Sequence, residues 1–367
     1  MLKFIKSAFG IALTFLMASS LFAQTKETVQ SGINCITVTT YPPRDLTDGK
    51  LPVSVLKEAW NTDQLVRWDL SAIFALLAEQ SYSDDNETLN YLIRGMGFTK
   101  WIAIKNDTMA AHVVSGESVS VVIFRGTNPT ELPDWYTNLS VNFIDSPYGR
   151  FHSGFTDAYK LVKKDLRRFI DEGRPEHLWV TGHSLGGAMA VACGVDLIIN
   201  TELKPTLVTF GQPRYADSTG AKWLDQQFKG RYARFVRGDD IVPRVPFCMP
   251  RFFPYAHAGR LVAIFDDRIT VADSEMSTTM LAAPNCDRCG VASIKTRIEV
   301  YQPTVEPPPL TEQEFRASLH IESALLANSS SQVTEVRLIP HYISDHLMTC
   351  YRELIRRYRD GQLSTSR

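Results

Sequence analysis

The chain has 367 residues, of which 44% are apolar, so it is long and apolar enough to bury a full hydrophobic core. Lysine and arginine together number 39, aspartate and glutamate together number 40, and the formal net charge is -1. This balance argues against nucleic acid as a partner, because a nucleic-acid-binding surface needs an excess of positive charge.

The first two dozen residues differ in composition from the rest of the chain. Two lysines precede an apolar stretch from Ala8 to Phe22, and Ala23 follows that stretch. A positive start, a short apolar core and a small residue at the cleavage point are typical of a secretory signal peptide, so residues 1–23 are predicted to be removed. An uncleaved membrane anchor is the alternative, although the apolar stretch is short for a membrane span. The mature chain is therefore predicted to be secreted or periplasmic, with no transmembrane segment.

Export would make disulfide bonds available to the six cysteines. Cys286 and Cys289 are separated by two residues, and no second ligand pair with metal-like spacing accompanies them. This favours a small loop disulfide over a zinc site. Cys193 lies among small residues and is predicted to be a buried free thiol.

Apolar runs alternate with amphipathic stretches along most of the chain. A polar lead is predicted from residue 24 to about residue 50, and residues 53–80 have helical periodicity. Strands are predicted at 101–104, 119–124, 178–181, 207–210, 233–236 and 261–265. Further helices are predicted at 156–171, 219–228 and 343–358. Such alternation is typical of an α/β fold with a mostly parallel central sheet flanked by helices.

The pattern weakens between about residue 266 and residue 335, where several prolines interrupt it. This region contains too few apolar residues to form a second core. We interpret it as an insertion before the C-terminal helix, so residues 24–367 are predicted to form a single domain.

The sequence GHSLG at 182–186 lies between the apolar run 178–181 and a stretch of small residues at 188–194. This order predicts a strand, a sharp turn and a helix, which together present a serine at the end of a sheet. The positions two before and two after the serine must be small, because a side chain there would collide with the turn. Ser184 is therefore predicted to be a nucleophile that attacks a carbonyl group.

A serine nucleophile needs a histidine base and a carboxylate that orients the histidine. With this type of turn, the three follow each other in the order serine, aspartate, histidine. Asp239 and Asp240 follow the strand predicted at 233–236, at the sheet edge that presents reactive residues. Asp217 follows the preceding strand and is the competing candidate for the carboxylate.

Four of the eight histidines follow the candidate acids: His257, His320, His341 and His346. His257 enters an apolar strand, where a structural role is expected, and His320 lies in the insertion. His341 and His346 both lie in a loop before the last predicted helix. Spacing alone leaves the choice between these two open.

The negative charge that develops on the substrate oxygen needs two N–H donors. Leu185, the residue after the nucleophile, is predicted to supply one donor. Thr127 lies in a loop after the strand at 119–124 and is predicted to supply the second, from its N–H and its hydroxyl.

Residues 128–143 mix apolar and polar side chains. Leu132, Trp135 and Leu139 are predicted to lie on the apolar underside of a lid that covers the serine. The alternative is an ordinary surface helix with one face in the core.

Five motifs, in the same order, resemble those of the fungal-type or class 3 lipases. They are FRGT at 124–127, the DW and NL pairs at 134–139, FHSGF at 151–155, GHSLG at 182–186 and TFGQPR at 209–214. In addition, DIVP at 240–243 is similar to the acid motif of that family, and DHL at 345–347 resembles its histidine loop. The resemblance therefore selects Asp240 over Asp239 and Asp217, and His346 over His341.

The resemblance implies an α/β-hydrolase-like fold and a secreted serine hydrolase that cleaves carboxylic ester bonds of lipids, as a triacylglycerol lipase does. The implied catalytic residues are Ser184, Asp240 and His346, acting through an acyl-enzyme. The implied partner is an ester lipid, and no metal ion or organic cofactor is expected. A phospholipase, a non-lipid carboxylesterase and a non-catalytic binding protein are the alternatives.

Overall fold

The computed structural model describes residues 24–41, 52–83, 86–127, 142–238, 240–246, 254–265, 269–272, 299–300 and 346–360. The predicted signal peptide at 1–23 lies outside the described residues. So do the predicted lid residues Leu132, Trp135 and Leu139, and the proposed disulfide partners Cys286 and Cys289.

The described strands form two sheets. The strands are β1 Thr25–Ser31, β2 Asn34–Thr40, β3 Lys100–Lys105, β4 Ala110–Gly116, β5 Val119–Phe124, β6 Phe143–Ser146, β7 Gly149–His152, β8 His177–His183, β9 Thr206–Phe210, β10 Ala216–Asp217, β11 Tyr232–Arg237, β12 Tyr255–Ala256, β13 Arg260–Ile264, β14 Ile269–Ala272 and β15 Glu299–Val300. The large sheet has the order β1-β2-β3-β4-β5-β8-β9-β11-β13-β14-β15, and the small sheet has the order β12-β10-β7-β6.

The centre of the large sheet is parallel. β5, β8, β9, β11 and β13 are neighbours in that order, and each pair runs parallel. The outer strands pair antiparallel on both sides, so the sheet as a whole is mixed. β5 is buried at every position, as expected for a strand that is covered on both faces. The predicted α/β class is confirmed, and the predicted parallel pairing holds for the central strands.

The described helices lie on both faces of this sheet. They are α1 Pro52–Val55, α2 Trp68–Gln80, α3 Asn86–Gly95, α4 Ser153–Gly173, α5 Leu185–Asn200, α6 Ser218–Gln227 and α7 Met348–Arg359. Val121 and Ile123 of β5 pack in the core that contains α2 and α7, whereas Val122 and Phe124 pack in the core that contains α4 and α5. Successive residues of a strand point to opposite faces, so one short strand supports both helical layers. Within the described part of the chain, no helix is both long enough and apolar enough to cross a membrane.

The segment after the predicted cleavage point is a β-hairpin and not a polar lead. β1 and β2 pair from Thr25↔Thr40 to Ser31↔Asn34, and Gly32 in the turn has a φ of +58°. β1 is the exposed edge strand, and two of the buried positions of β2 are polar, Asn34 and Thr39. The apolar alternation that marks a strand is therefore weak here, which explains why the prediction of a polar lead was wrong for this hairpin.

The predicted helix over 53–80 is divided into α1 and α2. Between them, the Asn61 side chain accepts a hydrogen bond from the Asp63 backbone N–H at 3.1 Å. Such a local side-chain bond offers the backbone an alternative to the helix. The helices predicted at 156–171 and 219–228 are confirmed as α4 and α6.

Two strands, β14 and β15, fall within the predicted insertion at 266–335. β14 pairs with β13, and β15 pairs with β14. These described parts of the insertion therefore extend the large sheet. The remainder of the insertion lies outside the described residues.

Candidate active site

Ser184 lies at the sharp turn between β8 and α5. Its backbone has φ +58° and ψ -131°, and its side chain is buried. A positive φ is unusual for a residue other than glycine and marks local strain. Strained residues of this kind often lie at functional sites, where the surrounding structure holds them in place.

The glycines around Ser184 allow three pieces of backbone to meet. A Cβ atom on Gly182 would lie 2.3 Å from the Gly186 carbonyl oxygen, and a Cβ atom on Gly186 would lie 2.2 Å from the Phe124 carbonyl oxygen. Both distances are far below van der Waals contact. The requirement for small residues at these two positions thus arises from the packing of β8, α5 and β5 against one another.

Asp240 lies after β11, is fully buried, and has both oxygens occupied. Oδ1 accepts a hydrogen bond from the Val242 backbone N–H at 2.9 Å. Oδ2 accepts one from the Tyr351 hydroxyl at 2.6 Å. His346 Nδ1 lies 2.8 Å from Oδ2 and 3.0 Å from Oδ1. The aspartate is therefore held from its own loop and from the segment that contains α7.

His346 lies two residues before α7 and is buried. Because a carboxylate only accepts hydrogen bonds, Nδ1 carries a proton, and in the neutral ring the free electron pair is on Nε2. Nε2 of His346 and Oγ of Ser184 are both buried, and neither has a hydrogen-bond partner among the described residues. A buried imidazole with a free, oriented nitrogen can act as a general base.

The His346 ring stacks on the ring of His183, the residue before Ser184. The ring centroids are 4.6 Å apart, and the planes are inclined by 28°. The histidine after the long insertion is thereby brought against the turn that carries the serine.

Gly211 borders the aspartate and the histidine. It follows β9, has a φ of +55°, and a Cβ atom there would lie 2.9 Å from Asp240 Oδ2 and 3.0 Å from His346 Nδ1. Gly211 belongs to the TFGQPR motif, but the sequence around it carries no signal for a role at the site. The positive φ and the close approach together require glycine at this position.

The loop that contains Thr127 lies against Ser184. A Cβ atom on the neighbouring Gly126 would lie 3.0 Å from the Ser184 Cβ and 2.6 Å from the His183 carbonyl oxygen. The Arg125 N–H donates to the Ala110 carbonyl at 3.1 Å, which fixes the start of this loop. Leu185, the other predicted donor residue, is the first residue of α5. Both predicted donor segments therefore border the serine.

Two rejected candidates have structural roles. The Asp217 carboxylate caps α6 by accepting from the Gly220 N–H at 2.8 Å, and it pairs with Arg150 Nε at 3.0 Å. His257 is buried, and its Nε2 donates to the Pro243 carbonyl at 2.7 Å. Burial, together with nearby arginines, holds the pKa of His257 well below its ordinary value. Asp239, His320 and His341 lie outside the described residues.

The sheet, the flanking helices and the strand-turn-helix around Ser184 define an α/β-hydrolase fold. Residues 121–249 match the family described as Lipase (class 3). This part of the chain is therefore similar to the class 3 lipases.

Curated relatives include both plant and fungal proteins. Triacylglycerol lipase OBL1 of Arabidopsis thaliana is 30% identical over 187 residues, which cover 38% of this chain and 36% of that protein. A lipase of Rhizomucor miehei is 32% identical over 195 residues, which cover 49% of this chain and 52% of that protein. The chain thus spans about a third to a half of the length of these relatives. The solved native Rhizomucor miehei lipase propeptide complex is 27% identical, with a TM-score of 0.45 over 53% of this chain and 68% of that chain.

Proposed function

We propose that the protein hydrolyses carboxylic esters of lipids, with Ser184 as nucleophile, His346 as general base and Asp240 as the carboxylate that orients the base. One observation carries this proposal. His346 is hydrogen-bonded to Asp240 through Nδ1 and is stacked on the turn that presents Ser184. The relatives named as lipases support the ester and lipid parts of the proposal.

In the first step, Ser184 Oγ attacks the ester carbonyl carbon while His346 Nε2 takes the hydroxyl proton. The imidazolium then returns this proton to the leaving alcohol as the carbon–oxygen bond breaks, which leaves an acyl-enzyme. A water molecule, activated in the same way, releases the carboxylic acid and restores Ser184. Asp240 stabilises the imidazolium in both halves of the reaction.

The oxyanion of each tetrahedral intermediate accepts hydrogen bonds from the N–H of Leu185 and from Thr127. Leu185 opens α5, whose N-terminal N–H groups favour negative charge. A loss of one such donor typically slows catalysis by about 10²- to 10³-fold.

The Ser184→Ala variant tests the nucleophile. We expect hydrolysis of p-nitrophenyl butyrate to fall by roughly 10⁴-fold or more, because removal of a triad member leaves only binding and oxyanion stabilisation. We also expect labelling by a fluorophosphonate probe to be lost, since the probe reacts with an activated serine. Ser218→Ala, at an exposed serine of α6, is the matched control and should retain both properties. Activity that survives in Ser184→Ala would place the nucleophile elsewhere.

The lid is also a proposal, resting on the amphipathic sequence of Leu132, Trp135 and Leu139. Hydrolysis rates tell whether the lid exists and which substrate class is used, when triacylglycerols of increasing chain length are compared with soluble esters. A lid predicts a jump in rate above the solubility limit of the substrate. Simple saturation on soluble esters without such a jump would argue against it.

Export is proposed from the composition of residues 1–23, and relatives named as secreted lipases of Malassezia globosa support it. N-terminal sequencing of the exported protein should begin at Gln24. A mature protein that begins at Met1 would contradict cleavage.

A further inference from the structure

A chain of hydrogen bonds behind Ser184 links three segments of the site. Tyr82 follows α2, and its hydroxyl lies 2.8 Å from His183 Nδ1. Gly126 packs against the same Tyr82 hydroxyl, since a Cβ atom on Gly126 would collide with the Tyr82 oxygen. On its other side, His183 Nε2 lies 2.7 Å from the carbonyl oxygen of His346.

The direction of each bond follows from its partners. A carbonyl only accepts, so His183 Nε2 carries the proton and donates to His346. In a neutral ring, Nδ1 is then the acceptor, and Tyr82 donates to it. Burial, and to a smaller extent the neighbouring His346, hold the pKa of His183 well below its ordinary value, so the ring stays neutral.

This bond chain uses side chains that carry out no step of the proposed reaction. It runs from Tyr82, which packs against Gly126 beside the proposed oxyanion donor Thr127, to the backbone of His346. His183 is buried and Tyr82 is half-buried. The His183 ring additionally supports the His346 ring by stacking.

We propose that Tyr82 and His183 are positioning residues that hold the Thr127 loop and His346 in their places relative to Ser184. The proposal rests on the proposed function, because it assigns roles relative to that triad. Its consequence is that a hydroxyl behind the site affects the rate of acyl transfer and not substrate binding.

Tyr82→Phe removes the hydroxyl and keeps the ring. We expect kcat for p-nitrophenyl butyrate to fall by about 10-fold with KM little changed, because small displacements of catalytic groups have large effects on rate. The rate of fluorophosphonate labelling should fall by a similar factor. Tyr215→Phe is the matched control: the Tyr215 side chain is buried and its hydroxyl hydrogen-bonds Thr156 at 2.9 Å. This control should show a similar change in thermal stability and an unchanged kcat.

Two substitutions of His183 separate positioning from packing. In His183→Gln, the side-chain amide can donate to the His346 carbonyl and accept from Tyr82, whereas in His183→Leu it can do neither. We expect a loss in kcat of about 100-fold for the leucine variant and of less than about 10-fold for the glutamine variant. If the leucine variant does not fold, the Tyr82→Phe result decides alone.

The two proposals fail in different ways. A wild-type protein that neither hydrolyses the ester nor reacts with the probe contradicts the proposed function, and the positioning role with it. An active wild type with an inactive Ser184→Ala, but with unchanged kcat in Tyr82→Phe, overturns the positioning role alone. Equal losses in the two His183 variants would also overturn it.

Discussion

The segment that carries Ser184 and the segment that carries His346 are held in place in different ways. Ser184 is fixed by its neighbours in sequence, since Gly182 and Gly186 let β8, α5 and β5 approach closely. His346 is held by partners far away in the chain, Asp240 at a separation of 106 residues and His183 at 163. The proposed nucleophile is thus presented by one strand, turn and helix, whereas the proposed base depends on the docking of a distant segment.

Gly186→Ala is expected to have the largest effect, and it acts on the local segment. The new Cβ would lie 2.2 Å from the Phe124 carbonyl oxygen and 2.8 Å from the Arg125 carbonyl carbon, and neither backbone atom can move aside cheaply. We expect loss of activity by about 10³-fold and destabilisation of about 3 kcal/mol. Ester hydrolysis and urea unfolding measure the two effects. Gly95→Ala, where nothing lies within 4 Å of the new Cβ, is the control; equal behaviour of the two variants would refute the packing argument.

Gly211→Ala acts on the distant segment. Its Cβ would press on Asp240 and His346, and the positive φ adds about 1–2 kcal/mol of backbone strain. We expect kcat to fall by about 10²-fold while the protein remains folded. Circular dichroism and steady-state kinetics would check this, and a variant with normal kcat would show that the acid–base pair tolerates displacement.

Tyr351→Phe removes one donor from the Asp240 carboxylate and leaves the bonds from Val242 and His346. We expect a decrease in kcat of about 10-fold, smaller than that of Gly211→Ala because the pair is not displaced. The Tyr351 hydroxyl stays protonated, since burial and the adjacent Asp240 raise its pKa well above the ordinary value. Steady-state kinetics on a soluble ester provide the measurement, and a loss as large as that of Gly211→Ala would contradict this ranking.

Arg352→Ala is expected to have the smallest effect on the rate. Arg352 of α7 pairs with the largely buried Glu79 of α2 at 2.5 Å, and its loss should cost about 1–3 kcal/mol of unfolding free energy. Burial raises the pKa of Glu79 above its ordinary value, and Arg352 opposes this shift. A carboxyl group whose pKa is raised in the folded state stabilises the fold at low pH. This contribution to the free energy of unfolding is lost as the pH rises through the folded-state pKa. The loss in unfolding free energy of the variant relative to the wild type should therefore grow from pH 4 towards pH 7. Urea unfolding at both pH values would measure this.

The same contrast explains what could be predicted from the sequence. The turn at Ser184 was predictable because its determinants are adjacent residues. The choices of Asp240 and His346 depended on the family resemblance, since spacing left His341 open. Tyr351 and Gly211 carry no local signal for their roles, because those roles arise only when separate strands and α7 meet at one edge of the sheet.

The fold was predictable to a similar extent. The apolar parallel strands at the centre of the sheet are visible as continuous hydrophobic runs. β1 was not predicted because this edge strand exposes most of its side chains and needs little apolar sequence. β2 was not predicted because two of its buried positions, Asn34 and Thr39, are polar. The division of the helix predicted over 53–80 was also not predicted, and a local bond from the Asp63 N–H to the Asn61 side chain lies in the interruption.

His346 and Tyr351 lie only five residues apart, on the segment that enters and forms α7. If that segment detaches, the proposed base and one donor to the proposed acid leave in a single event, while the strained turn at Ser184 keeps its shape. Local opening of α7 would therefore switch each molecule fully off and, on closing, fully on again. The turnover rate of a population would then report the fraction of molecules in which α7 is docked.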